Sequence, residues 1–108
     1  MSIQDELQII LQKRSGIDSE DSYSLTNCWK EETELLAKDI SATIDFLDHE
    51  CTGDQFSWIS EIFDDLVEKT QSKALIDCFY RNAKRFPKET AEYHLLAAIK
   101  SSEDFLLE

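Results

Sequence analysis

The sequence predicts an all-α fold: a compact antiparallel domain of about five helices spanning residues 1–108. Three observations predict it. Apolar residues recur at helical spacing almost throughout the chain. Only two glycines (Gly16, Gly53) and one proline (Pro87) are present, too few for the turns of a β-rich fold. And 108 residues, 42% of them hydrophobic and 31% charged, suffice for one core without disulfides or metal.

A first helix is expected from about Ile3 to Arg14. Ser2 is its N-cap, Asp5 and Glu6 suit the first turn, Lys13 and Arg14 suit the last, and Gly16 ends it. Residues 17–28 have the weakest pattern in the chain and read as a polar linker. The second helix runs from about Trp29 to Glu50, with Trp29, Leu36, Ile40, Ile44, Leu47 and Cys51 on one face and a bend possible near Asp39–Ser41. Thr52, Gly53 and Asp54 break it. A third helix, about Asp54 to Gln71, buries Phe56, Ile59, Ile62, Phe63 and Leu66. Ser72 caps a fourth, about Lys73 to Arg85, and Pro87 suits the first turn of a fifth, about Lys88 to Lys100 or beyond. Short loops imply antiparallel neighbours. Helix pairs of this kind also occur in α-solenoids, although no repeat at a fixed period is present.

Charge is the most informative feature. The net charge is −12, and residues 1–72 carry 17 acids against 5 bases. No cation lies between Lys38 and Lys69, where nine acids fall: Asp39, Asp45, Asp48, Glu50, Asp54, Glu61, Asp64, Asp65 and Glu68. Such a region disfavours nucleic acid and anionic membrane, and steers a basic partner towards itself. On an uninterrupted third helix, Glu61, Asp64, Asp65 and Glu68 form a stripe opposite the apolar face. Its like-charge pairs would cost on the order of 1–2 kcal/mol together. Trp58 lies one turn before the stripe and suits an interface anchor; Asp45, Asp48, Glu50 and Asp54 would extend the patch. A solvated helix face that keeps the protein soluble is the plain alternative.

Other chemistry finds little support. Reading Asp48 to Ile59 as an EF-hand loop puts Ile59 where a bidentate glutamate is required and Gln55 where an apolar residue belongs. His49 and Cys51 have no further ligands at zinc spacing. Cys28, Cys51 and Cys78 are odd in number and widely spaced, and read as reduced core thiols of a cytoplasmic protein. No signal peptide or membrane span is expected. Arg81, Lys84, Arg85 and Lys88 form the one basic cluster, read as a solvated face salt-bridged to acidic neighbours. No carboxylate stands out as a catalytic acid or base, so neither an enzyme nor a cofactor is expected.

The stretch Phe56–Tyr93, FSWISEIFDDLVEKTQSKALIDCFYRNAKRFPKETAEY, resembles small helical bacterial immunity proteins, in particular those of contact-dependent growth inhibition systems. The likeness lies in the SWISEIFDDLVEKTQS helix, the following L-I-x-C-x-Y-R helix and the F-P-K-E-T turn. It implies a protein that binds and silences a cognate toxin domain, often a nuclease. That family has no single shared fold and no fixed binding residues, so the resemblance assigns no site. The charge pattern supplies one: Asp45, Asp48, Glu50, Asp54, Trp58, Glu61, Asp64, Asp65 and Glu68 are the expected toxin-binding residues. An acidic surface complements a basic nuclease cleft. The expected mechanism is stoichiometric occlusion in a 1:1 complex, anchored by Trp58 or Tyr80. An acidic helical adaptor that engages a basic host protein, and a nucleic-acid mimic, are the competing readings.

Overall fold

A computed structural model describes residues 2–107. Among them the regular structure is entirely helical: α1 (Ile3–Ser15), α2 (Ser22–Ala37), α3 (Ile40–His49), α4 (Gly53–Ile59), a 3-10 turn (Ser60–Ile62), α5 (Phe63–Thr70), α6 (Lys73–Arg85), α7 (Pro87–Glu92), α8 (Leu95–Ser102) and a second 3-10 turn (Glu103–Phe105). The all-α class is as expected; three of the predicted helices are divided, each for a local reason.

The predicted 17–28 linker is mostly helix. Asp21 caps α2 by accepting from the Ser24 backbone N–H, and the helix buries Leu25 and Cys28 early. Cys28 approaches the Ile10 carbonyl of α1 at 3.6 Å. Tertiary burial against α1 overrides the weak local pattern. The predicted 29–50 helix is cut at Lys38–Asp39. Asp39 leaves helical geometry and accepts from the Ala42 N–H, starting α3. Thr43 Oγ1 then donates to the Leu36 carbonyl at 2.6 Å, satisfying an orphan acceptor at the end of α2.

The predicted 54–71 helix is interrupted at Ser60–Ile62. Ser57 and Ser60 each donate a side-chain hydroxyl to the carbonyl three residues earlier, competing with regular helix geometry. The tighter 3-10 turn buries Ile59, Ile62 and Phe63 in succession. Thr52 and Gln55 form a capping box at the start of α4. Thr52→Ala should cost about 1 kcal/mol of unfolding free energy, read as a lower urea midpoint with an unchanged slope. The last predicted helix breaks at Tyr93–His94, where His94 takes φ 55° before α8 begins.

The extents are nearly equal at 32 × 30 × 29 Å, and α5 packs on both α2 and α8. This closed arrangement excludes the solenoid alternative, in which each helix pair meets only its chain neighbours. The centre is aromatic: Phe63 stacks on Phe79 at 4.2 Å and tilts against Phe56 at 5.4 Å. The three cysteines are free and buried. Burial pushes the Cys51 and Cys78 thiols up to about 12, which leaves them unreactive. No helix among the described residues is long and apolar enough to cross a membrane.

Candidate acidic interface

The nine expected interface residues do not form one patch: eight divide among four settings, and Asp64 stands apart from all of them. The first is a notch between α4 and the end of α7. One turn of α4 separates Asp54 from Trp58, and Tyr93 faces them. With Ser57, Ser60 and Glu61 these residues line a cavity of about 290 Å³. Trp58 is half-buried, while Tyr93 is 53% exposed. Glu92, as hydrogen-bond acceptor and as a charge, pushes the Tyr93 phenol up, with smaller contributions from Asp54 and Glu89. The notch therefore joins two aromatic rings to a local excess of negative charge.

Glu61 belongs to this notch rather than to a stripe with Asp64, Asp65 and Glu68. A 3-10 turn advances 120° per residue instead of 100°, so the helical wheel that aligned the four does not apply. Glu61 turns towards α1 and α2. Arg14 forks onto it, with Nε to Oε1 at 2.8 Å and Nη2 to Oε2 at 2.6 Å. The Trp29 indole N–H donates to Oε1 at 3.1 Å. The Arg14 guanidinium also lies over the Trp58 ring, 5.0 Å from its centroid. Part of the like-charge strain expected for the stripe is thereby relieved by an intramolecular cation.

The second setting is the groove between α2 and α5, a cavity of about 500 Å³. Asp65, Glu68 and Glu34 line it beside Trp29, with Lys30 and Lys69 as local counter-charges. Asp64 points elsewhere. Burial first, then Asp65 and Asp104, push its carboxyl above the ordinary range. It is a half-buried acid on the flank of the C-terminal segment.

The third setting corrects the sequence expectation for Asp48, which is structural. It receives Arg81 Nη2 at 2.9 Å, Asn82 Nδ2 at 3.1 Å and the Cys78 thiol at 3.5 Å, tying α3 to α6. Burial raises its carboxyl, but Arg81 leads the hydrogen bonds that outweigh this and hold it below the ordinary range. Arg85 likewise turns inward, donating to the Leu47 carbonyl and to Asn82 Oδ1. All four members of the basic cluster are exposed, and two of them, Arg81 and Arg85, also tie α6 to α3. Tyr80, the alternative anchor, donates its hydroxyl to Glu103 at 2.6 Å and secures the C-terminal 3-10 turn. The fourth setting is the end of α3. Asp45 and Glu50 are exposed there, and Asp45 lies 3.7 Å from His49 on the next turn.

Sequence reasoning missed Tyr93 of the notch itself and a buried acid beside it. Glu32 of α2 is fully buried, and neither carboxyl oxygen has a hydrogen-bond partner. Burial, then the nearby Glu61, push its carboxyl up to about 8, against the pull of Arg14. The signal was present. Leu25, Cys28, Glu32 and Leu36 follow one another at helical spacing, so an acid interrupts an apolar stripe. Starting the helix at Trp29 hid that stripe.

Compared with known proteins, the chain matches no family model, no curated protein and no solved structure. Its function therefore has to be argued from its own residues.

Proposed function

We propose that this chain is an immunity protein, which neutralises a cognate toxin domain by stoichiometric occlusion through its acidic surface. The observation that carries the reading is the Trp58–Tyr93 notch. Asp54 and Glu61 line it, Glu89 and Glu92 lie beside it, and two aromatic rings form its walls. Aromatic side chains in a partly desolvated recess supply binding energy, and surrounding carboxylates supply steering and register. The groove that holds Asp65 and Glu68 extends the negative field around the molecule, next to Trp29. The resemblance of residues 56–93 to immunity proteins of contact-dependent growth inhibition systems supports the same reading. That stretch contains Trp58, Glu61 and Tyr93. A nuclease binds a polyanion, so its basic cleft, or a basic surface beside it, is the complementary partner. Occlusion of that surface requires no chemistry from this chain and no cofactor.

The test pairs the protein with the product of the gene immediately upstream, by calorimetry at two salt concentrations. The expected result is one-to-one binding that weakens as salt rises. Trp58→Ala should weaken it by about 30-fold or more, with the fold checked by circular dichroism. Asp54→Lys should act mainly on the association rate. Absence of binding to that product, together with capture of a basic host protein, would favour the adaptor reading. Binding that ignores both substitutions would remove the notch from the interface.

A further inference from the structure

The junction of α1, α2 and the first 3-10 turn holds two carboxyl groups and one guanidinium. Glu61 takes the guanidinium of Arg14 in a forked pair. Glu32, fully buried on the apolar stripe of α2, takes nothing. Buried polar side-chain atoms are overwhelmingly hydrogen-bonded, so two orphan oxygens on one carboxyl require a physical account. Proton uptake is that account, because a neutral carboxyl tolerates a dry site that a carboxylate does not.

The groups around Glu32 come from each element packed against α2. Helix α1 brings Arg14, whose charge attracts it, and the 3-10 turn brings Glu61, whose charge repels it. On α2 itself the Cys28 thiol lies one turn earlier, and Glu31 is paired outward with Lys13 at 2.9 Å. Helix α5 brings Asp65, Glu68 and Lys69 to the neighbouring groove. Helix α3 meets α2 through the uncharged Thr43. Arg14 is thus the cation that acts on Glu32, and it is already engaged elsewhere.

We propose that Arg14 is the arm of a proton-operated switch: while Glu32 holds its proton, Arg14 stays forked on Glu61 and stacked over Trp58, and when Glu32 releases it, Arg14 turns inward to the buried carboxylate. An ionised carboxylate in that position is strongly disfavoured unless a cation joins it. The inward turn strips Glu61 of its counter-charge and uncovers one face of Trp58. The notch then presents a bare carboxylate beside an open indole. The switch is a property of this chain alone and does not depend on what the notch binds. Glu32 is pushed up to about 8, so the exchange falls in the mildly alkaline range.

Both tryptophans report on it, since Trp29 donates to Glu61 and Trp58 lies beneath Arg14. Intrinsic fluorescence of the full chain between pH 6 and 10 should show a transition with its midpoint near pH 8. In Glu32→Gln that transition should be absent. Glu61→Gln removes the repelling charge and frees Arg14, so the midpoint should fall by about one pH unit or more. A 13C NMR titration of the Glu32 carboxyl in the unsubstituted protein gives the same midpoint without relying on any variant to fold. A Glu32 carboxyl already ionised at pH 6, or a fluorescence transition unchanged in Glu32→Gln, would overturn the proposal.

Discussion

Truncation of Phe63 to alanine should lower the unfolding free energy by about 3–5 kcal/mol. For a domain of this size that is a large share of a total of about 5–15 kcal/mol. Phe63 is 1% exposed and joins two other rings, stacking on Phe79 of α6 and tilting against Phe56 of α4. It is also the first residue of α5, directly after the 3-10 turn. The cavity left behind would therefore open where three elements converge. Phe63→Leu keeps most of the volume and should cost under about 1.5 kcal/mol. Urea unfolding of the two variants checks the pair. Equal midpoints for the two variants would mean that the volume leucine restores matters little at this position.

Replacement of Glu32 by leucine should stabilise the protein, an unusual direction for a change at a fully buried position. The folded carboxyl sits at about 8, above its ordinary value of 4.5. Between those values the native state holds a proton that the unfolded chain has released. Stability contributed by this group is therefore fully present below about pH 4.5 and is lost as pH rises through 8. By neutral pH the loss is on the order of 3 kcal/mol, and the two orphan oxygens add to it. Leucine removes both costs with a side chain of similar bulk. The expected gain at pH 7 is about 2–3 kcal/mol, on the order of 10 °C in Tm. Urea midpoints at pH 5, 7 and 9 provide the check. The parent should lose stability along that series relative to the leucine variant. A leucine variant that is less stable than the parent at pH 7 would show that Glu32 has a partner in solution. Retaining an acid at such a cost is consistent with a working role for its proton.

Several helix boundaries were readable from the cap or breaker that stood there, although the caps Asp21 and Asp39 were not recognised. Ser2, Ser72 and Pro87 act as expected, with the Ser2 and Ser72 side chains accepting from the Asp5 and Leu75 N–H groups. The breaks at Lys38–Asp39, Ser60–Ile62 and Tyr93–His94 were less legible. Each keeps apolar periodicity nearly intact while changing the direction of the chain. Asp39 and the serines at 57 and 60 carried the local hint, since short polar side chains compete for backbone groups.

The candidate site was legible as charge and illegible as geometry. Composition alone showed an acidic molecule and a cation-free stretch from Lys38 to Lys69. It did not show that Asp48 is bound by Arg81 and Asn82, or that Glu61 is bound by Arg14. Those partners lie 33, 34 and 47 positions away along the chain. Nor did it bring Tyr93 to Trp58, because the kinks that fold α4 and α7 together have no periodic signature.

By itself, then, the sequence determined the all-α class, some of the caps, most of the core and the sign of the surface field. These follow from side-chain spacing and composition, which are local or additive. Tertiary structure alone decided which acids are free, where an aromatic notch opens and that Glu32 is sealed from water. Pairing and desolvation depend on which distant side chains meet, and the energy of a charge is set by those neighbours rather than by its place in the chain.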